Sequence, residues 1–151
     1  MQTEAIFENI ASRIQEEVNK AQKSIYIAVA WFTNKNIFDQ LLKKAKEGCA
    51  VQIIISNDDI NNNSSINFEQ LNKYKGKIYK IGNGDNELMH NKLCIIDDNT
   101  VITGSYNWNE ESNNSFENII INYNSSKLAE QFIVLFITTN RLIFLNRKGY
   151  F

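Results

Sequence analysis

HNKLCIIDDNTVITGSYN, residues 90–107, is the stretch on which the reading of this chain turns. It holds the only histidine, His90, two residues before Lys92, and it ends in a Gly-Ser-x-Asn turn at Gly104, Ser105 and Asn107. Its apolar runs predict strands near 89–97 and 100–104. Side chains alternate along a strand, so His90 and Lys92 point to one side while Leu93 and Ile95 point to the other. An imidazole and an ammonium then face one small volume. Gly104 permits a tight backbone path, and Ser105 and Asn107 offer a hydroxyl and an amide at the end of the next strand. Together these groups make a cup for a tetrahedral anion. In it Lys92 neutralises charge, Ser105 and Asn107 donate hydrogen bonds, and His90 serves as nucleophile or proton carrier. Taken singly, each residue has an ordinary structural reading: a satisfied histidine, a lysine on a solvated strand face, common turn chemistry. Their joint spacing is what points to chemistry.

Working outward, Ile6, Ile10, Ile14, Val18 and Ala21 fall at three- and four-residue intervals and predict an amphipathic helix over 4–22. SIYIAVAWF, 24–32, reads as a buried strand. A second helix is predicted from Asn36 to Glu47, with Gly48 as its stop, followed by a strand at 50–55. NDDINNNSS, 57–65, is turn and loop chemistry; a short helix over 66–74 and a strand at 77–81 follow, then a loop through GNGDNE. After the central stretch come a polar connection through Asn114, a strand at 116–123, and a helix starting near Ser125 or Ser126. This order predicts a single α/β domain over 1–151, a mixed sheet sandwiched between helices.

With 151 residues, 43% hydrophobic, the chain has the apolar content for one real core. A formal net charge of −1 makes it no general magnet for nucleic acid, so any anion binding must be local. Glu4 and Glu8 stand where a secretory leader would carry a basic start and an apolar run, which predicts a cytoplasmic protein. Cys49 and Cys94 read as buried hydrophobes of a reducing compartment, and two distant cysteines with one histidine make a poor zinc set. No cofactor is expected.

The spacing H-x-K-x(4)-D-x(6)-G-S-x-N is met in full by His90, Lys92, Asp97, Gly104, Ser105 and Asn107, and in this the chain resembles the phospholipase D superfamily, in particular its single-motif bacterial endonucleases. The resemblance extends to the strand that ends in an aromatic and Thr33, the Gly48 turn before AVQIII, and FENIII. It implies attack on phosphorus by one histidine to give a phosphohistidine, with a second histidine on the opposite side protonating the leaving oxygen and then activating water. It also implies that Asp97 and Gly104 are structural, and that Glu117 hydrogen-bonds the catalytic histidine. Since in-line displacement needs groups on opposite faces of the phosphorus and this chain has one histidine, the second must come from another copy, so a homodimer with a site on its two-fold axis is expected. Two Lys92 would supply the charge compensation that a metal gives elsewhere.

Hydrolysis of DNA or RNA is the leading expectation. Lys73, Lys75, Lys77 and Lys80, interleaved with Tyr74 and Tyr79, suit a phosphate track with stacking faces, although a solvated edge of helix and strand is the more ordinary reading of such a segment. Trp31 and Trp108, at predicted strand ends, are candidates for base contacts. The other readings are a phospholipase or cardiolipin-type hydrolase, supported by the apolar segment 132–145, and an idle binding subunit of a nucleic-acid-processing or defence assembly. A regulatory protein partner is also expected, because a free nuclease would endanger its host. FIVLFITTNRLIFLNRKGYF, 132–151, is too short and interrupted to span a bilayer, and core or subunit interface is the expected use rather than a membrane contact.

Overall fold

The computed structural model describes residues 2–83 and 88–147. In chain order the elements are β1 (Gln2–Ile6), α1 (Ile10–Lys20), β2 (Ser24–Val29), α2 (Lys35–Lys46), β3 (Ala50–Ser56), α3 (Asp59–Asn62), a 3-10 turn (Phe68–Lys73), β4 (Gly76–Ile81), β5 (Lys92–Ile96), β6 (Thr100–Gly104), a second 3-10 turn (Glu111–Asn114), β7 (Ile119–Tyr123) and α4 (Ser126–Arg147). The strands form one sheet in the order β1-β7-β6-β5-β2-β3-β4. β2, β3 and β4 run parallel, and the remaining pairings are antiparallel, so the sheet is mixed as expected.

Alternation along the strands builds two cores. Ile25, Ile27, Val29, Ile53, Cys94, Ile102 and Ile121 point to the face covered by α1, α2 and the first 3-10 turn. Ala28, Ile54, Leu93, Ile95 and Val101 point to the opposite face, where Ala129 and Phe136 of α4 pack on them. At α2, Asn34 Oδ1 caps the start by accepting the Ile37 N–H at 3.1 Å, and Gly48, at a left-handed φ of 99°, ends the helix. Both cysteines are buried and free, and burial pushes the Cys94 thiol well above its ordinary pKa.

Three expectations need correction. The first helix begins at Ile10, not residue 4, because residues 2–6 pair with β7 in antiparallel register, Ile6 opposite Ile119. Capping that edge satisfies backbone groups that a longer helix would leave β7 without. The strand at 24–32 stops at Val29, since Asn61 takes over the backbone beyond it: its amide donates to Ala30 O and Ser56 O at 2.8 and 2.7 Å, and its Oδ1 accepts the Phe32 N–H at 2.9 Å. The strand at 116–123 begins only at Ile119, leaving Phe116 wholly exposed.

On α4, Phe136 is buried at 5.4 Å from the Tyr26 ring, whereas Val134, Leu135 and Ile137 are exposed. The core assignment for this segment therefore holds for part of its surface only. Among the described residues no helix is long and apolar enough to cross a membrane. Residues 84–87 of the GNGDNE loop and residues 148–151 of the terminal segment lie outside the described residues.

Candidate active site

The register brings one row of the sheet to a common end. Val29 of β2 lies opposite Lys92 of β5, Leu93 opposite Thr103, and Gly104 opposite Ile119. The start of β5, the end of β6 and the approach to β7 thus meet beyond the end of β2, and there the quoted stretch delivers its polar side chains.

His90 lies two residues ahead of β5, outside the strand, yet its imidazole is on the side of Lys92. Lys92 Nζ is 3.4 Å from Nδ1 and 3.3 Å from Nε2, and donates to the His90 carbonyl at 3.0 Å. An ammonium equidistant from both ring nitrogens aims squarely at neither, so the pair is poised beside one another rather than locked. Partial burial lowers the Lys92 pKa and the charge of Glu117 pulls it back up, which makes Glu117 the electrostatic counterweight of the lysine.

Ser105 and Glu117 are joined directly: the serine Oγ donates to Glu117 Oε2 and accepts the Asn118 N–H at 3.1 Å. Gly104 is what allows that approach. A Cβ there would stand 2.1 Å from Asn118 O and 2.8 Å from Ile119 Cα, so any other residue would push β7 away. The resemblance implied a hydrogen bond from Glu117 to the catalytic histidine; in the single chain its hydrogen bond goes to Ser105, twelve residues away in sequence. Next to it, Tyr106 is buried and donates to Asn113 Oδ1 at 2.8 Å, its pKa pushed up to about 12 by burial and by the Glu117 charge.

Asn107 is buried, and its Oδ1 accepts the Trp31 N–H at 3.3 Å, so the motif's asparagine ties the two halves of the site together rather than simply facing a ligand. Asp97 lies at the opposite end of the sheet. Its backbone is left-handed at φ 53°, and its carboxylate accepts the N–H groups of Gln22, Lys23 and Ser24 at 2.9, 2.7 and 3.1 Å. Burial works to raise its pKa, but those three donors outweigh it and the pKa is lowered. Asp97 therefore anchors the start of β2.

The proposed contacts for substrate separate. Trp31 belongs to the site: its ring stands edge-on to the His90 ring, centroids 6.1 Å apart at 80°. Trp108 does not, being 3% exposed and packed against Phe32 at 5.3 Å, where it serves the core. Lys73, Lys75 and Lys77 are exposed, and Lys77 stands well away from the site. Lys77 pairs with Gln52, which pairs with Tyr26 and so with Ile95, three residues down from Lys92 and three strands across. That is roughly 10 Å along and 14 Å sideways from the row of the site. Only Lys80 stands in that row, and its Nζ donates to Asn62 Oδ1 at 2.8 Å.

Two residues that the sequence did not single out hold Trp31 and its neighbours. Asp58 Oδ2 accepts the Trp31 Nε1–H at 2.7 Å, and Asn61 secures the backbone on either side. They sit in the NDDINNNSS run, where polar turn residues of every role look alike. Beside Glu117 opens a groove of about 890 Å³ between Phe7–Ser12 and the 112–118 loop, flanked by the exposed rings of Phe7 and Phe116. Among the described residues no cluster of His, Cys, Asp or Glu is placed to hold a metal ion.

Residues 14–139 match the family model described as cardiolipin synthase, PLD-like domain. Phospholipase D of Rickettsia conorii is 29% identical over 122 residues, which is 80% of this chain and 58% of that protein, so the chain spans little more than half its relative's length. Among solved structures, the phospholipase D family member Nuc from Salmonella typhimurium aligns with a TM-score of 0.73 at 23% identity, covering 87% of this chain and 89% of Nuc. NucT from Helicobacter pylori aligns with a TM-score of 0.70 at 22% identity, covering 91% and 94%. Both share the fold of this chain.

Proposed function

This chain belongs to the PLD-like domain family whose model is described as cardiolipin synthase, and from that premise we propose that it is a phosphodiesterase that hydrolyses DNA or RNA through a phosphohistidine, at a site shared by two copies of the chain. The observation that carries the reading is the grouping of His90, Lys92, Ser105 and Glu117 at one end of the sheet, with the ammonium against the imidazole.

An imidazole beside a cation suits attack on a phosphate: Lys92 balances the charge that grows on the equatorial oxygens while a ring nitrogen forms the P–N bond. The leaving oxygen departs from the opposite face and takes a proton there. A single histidine cannot stand on both faces, so the second imidazole is that of another copy. The apolar rings of Phe7 and Phe116 beside the groove at Glu117 are surface that such a copy would cover. Once water has attacked the phosphohistidine, the same partner imidazole receives its proton. Two lysines at the phosphate take the place of a divalent cation.

Nucleic acid is favoured over lipid by the half-buried indole of Trp31 next to His90, a flat face at the place where a base beside the scissile phosphate would lie. The lipid alternative has its own observation in the exposed Val134, Leu135 and Ile137 of α4 and in the name of the rickettsial relative. Labelled single-stranded DNA, duplex DNA, RNA and cardiolipin, each with and without EDTA, decide between them. Nucleic-acid cleavage that survives EDTA and disappears in His90→Ala supports the reading. Cleavage of cardiolipin alone transfers it to lipid, and a requirement for added Mg²⁺ overturns the mechanism.

A further inference from the structure

His90 has little of its own to orient it. It precedes β5, it is exposed, and among the described residues its ring nitrogens meet Lys92, whose ammonium favours neither. Nucleophilic attack nonetheless needs one particular nitrogen aimed along the P–O bond that breaks, and a misplacement of 1 Å costs up to about 10²-fold in rate. Something must hold the ring, and the body next to it is the indole of Trp31.

Trp31 is itself held at three points. Its Nε1–H donates to Asp58 Oδ2 at 2.7 Å, its backbone N–H donates to Asn107 Oδ1 at 3.3 Å, and the residues on either side are bound by Asn61. Asp58 is fixed in turn, because its other oxygen accepts the Asn61 N–H at 3.2 Å and so caps α3. A charge-assisted bond to a carboxylate is shorter and stronger than a neutral one, which sets the plane of the indole as well as its position. The chain of contacts therefore runs from α3 through Asp58 to Trp31 and ends on the imidazole.

We infer that Trp31, pinned by Asp58, is a positioning residue that sets the orientation of the His90 imidazole. The inference rests on the proposed role of His90 as nucleophile. Asp58 touches neither substrate nor reacting atoms; it acts through the indole.

The test uses the fact that the chain has one histidine, so that its imidazole gives one set of NMR signals. Four variants serve: Trp31→Phe, which keeps an aromatic ring and the α3 cap but loses the N–H; Trp31→Ala; Asp58→Ala; and Asp58→Asn, whose amide oxygen still accepts the indole N–H. The substrate is methyl p-nitrophenyl phosphate, which has no base for Trp31 to recognise. Loss of kcat by roughly 10-fold or more in Trp31→Phe, Trp31→Ala and Asp58→Ala is expected, with KM little changed and Asp58→Asn within about twofold of wild type. In the substrate-free protein, cross-relaxation between the indole and imidazole protons should persist in Asp58→Asn and vanish in Asp58→Ala. Undisturbed imidazole signals and an unchanged kcat in Trp31→Phe and Trp31→Ala overturn the inference. If Asp58→Ala does not fold, the Trp31 variants and Asp58→Asn decide it on the same readouts. If wild type turns over no phosphodiester, the proposed function fails, while the imidazole signals still decide whether Trp31 and Asp58 orient the ring.

Discussion

Ser105 gives its hydroxyl proton to Glu117, and the N–H of Asn118 fills the same oxygen from the other side. The hydroxyl is thus committed within the single chain, and a phosphate arriving as proposed would compete with a carboxylate for it. Glu117 holds three relations at once, to Ser105, to Lys92 and to Tyr106, and works as the electrostatic hub of the site.

Glu117→Gln should therefore move the pH profile more than it unfolds the protein. Burial lowers the Lys92 pKa and Glu117 raises it, so removing the carboxylate lets Lys92 lose its proton at a lower pH. In the proposed reaction the cationic form binds phosphate, so the alkaline limb of kcat/KM should shift downward. The rate at the optimum should fall by about 10²-fold, less than in His90→Ala. An alkaline limb that stays in place, measured across the profile, disconnects the two residues.

Asp97→Asn should cost stability and leave the chemistry alone. Three backbone donors hold the charged carboxylate, and bonds to a charged group contribute about 1.5–3 kcal/mol each to stability at most. The Asp97 pKa is lowered in the folded chain, so its stabilisation is complete above the ordinary aspartate pKa and is lost as pH falls through the folded value. Urea unfolding at pH 7 should separate wild type from Asp97→Asn, and the gap should close as the pH drops below the carboxylate range. A gap that is constant with pH would mean that the charge contributes nothing.

Mixing tests the shared site. Wild-type and His90→Ala chains refolded together at wild-type fraction f should show activity falling roughly as f², because the proposed turnover needs two imidazoles. A straight line in f, together with a monomeric mass in solution, would place a complete site within one chain.

Replacing Lys73, Lys75 and Lys77 together by Ala should leave the cleavage of a short single-stranded oligonucleotide within about twofold of wild type, since Lys77 stands roughly 10 Å along the strands and roughly 14 Å across the sheet from Lys92, together beyond the Debye length of about 8–10 Å. A loss of 10-fold or more in kcat/KM would show that the substrate track does run to that corner.

How much of this was legible in the sequence depends on whether the signal was local. That His90, Lys92 and Ser105 would come together was readable because one short stretch carries them, and the register then had only to close the row. The mixed sheet was readable because its strands are apolar runs separated by turn residues. β1 was not: Ile6 fits the helical stripe of Ile10, Ile14 and Val18, and only pairing with a strand more than a hundred residues away pulls it out. The different fates of Trp31 and Trp108 were equally invisible, because both follow an apolar strand and only tertiary packing buries one of them. Asp58 looked like any other polar residue of its loop until its bond to Trp31 gave it a purpose.

The placement of β1 also limits how two copies can meet. By pairing with β7 along its whole length, Gln2–Ile6 seals the strand that leads from Glu117 against recruitment by another sheet. The edges that remain are β1 itself, with Glu4, and β4, with Lys77 and Lys80, both discouraging to a neighbouring strand. Two such sheets cannot extend one another side by side through the strand nearest the chemistry. In the proposed dimer two copies would instead meet nose to nose, each turning the open ends of its strands toward the other, with the phosphodiester in the seam between them.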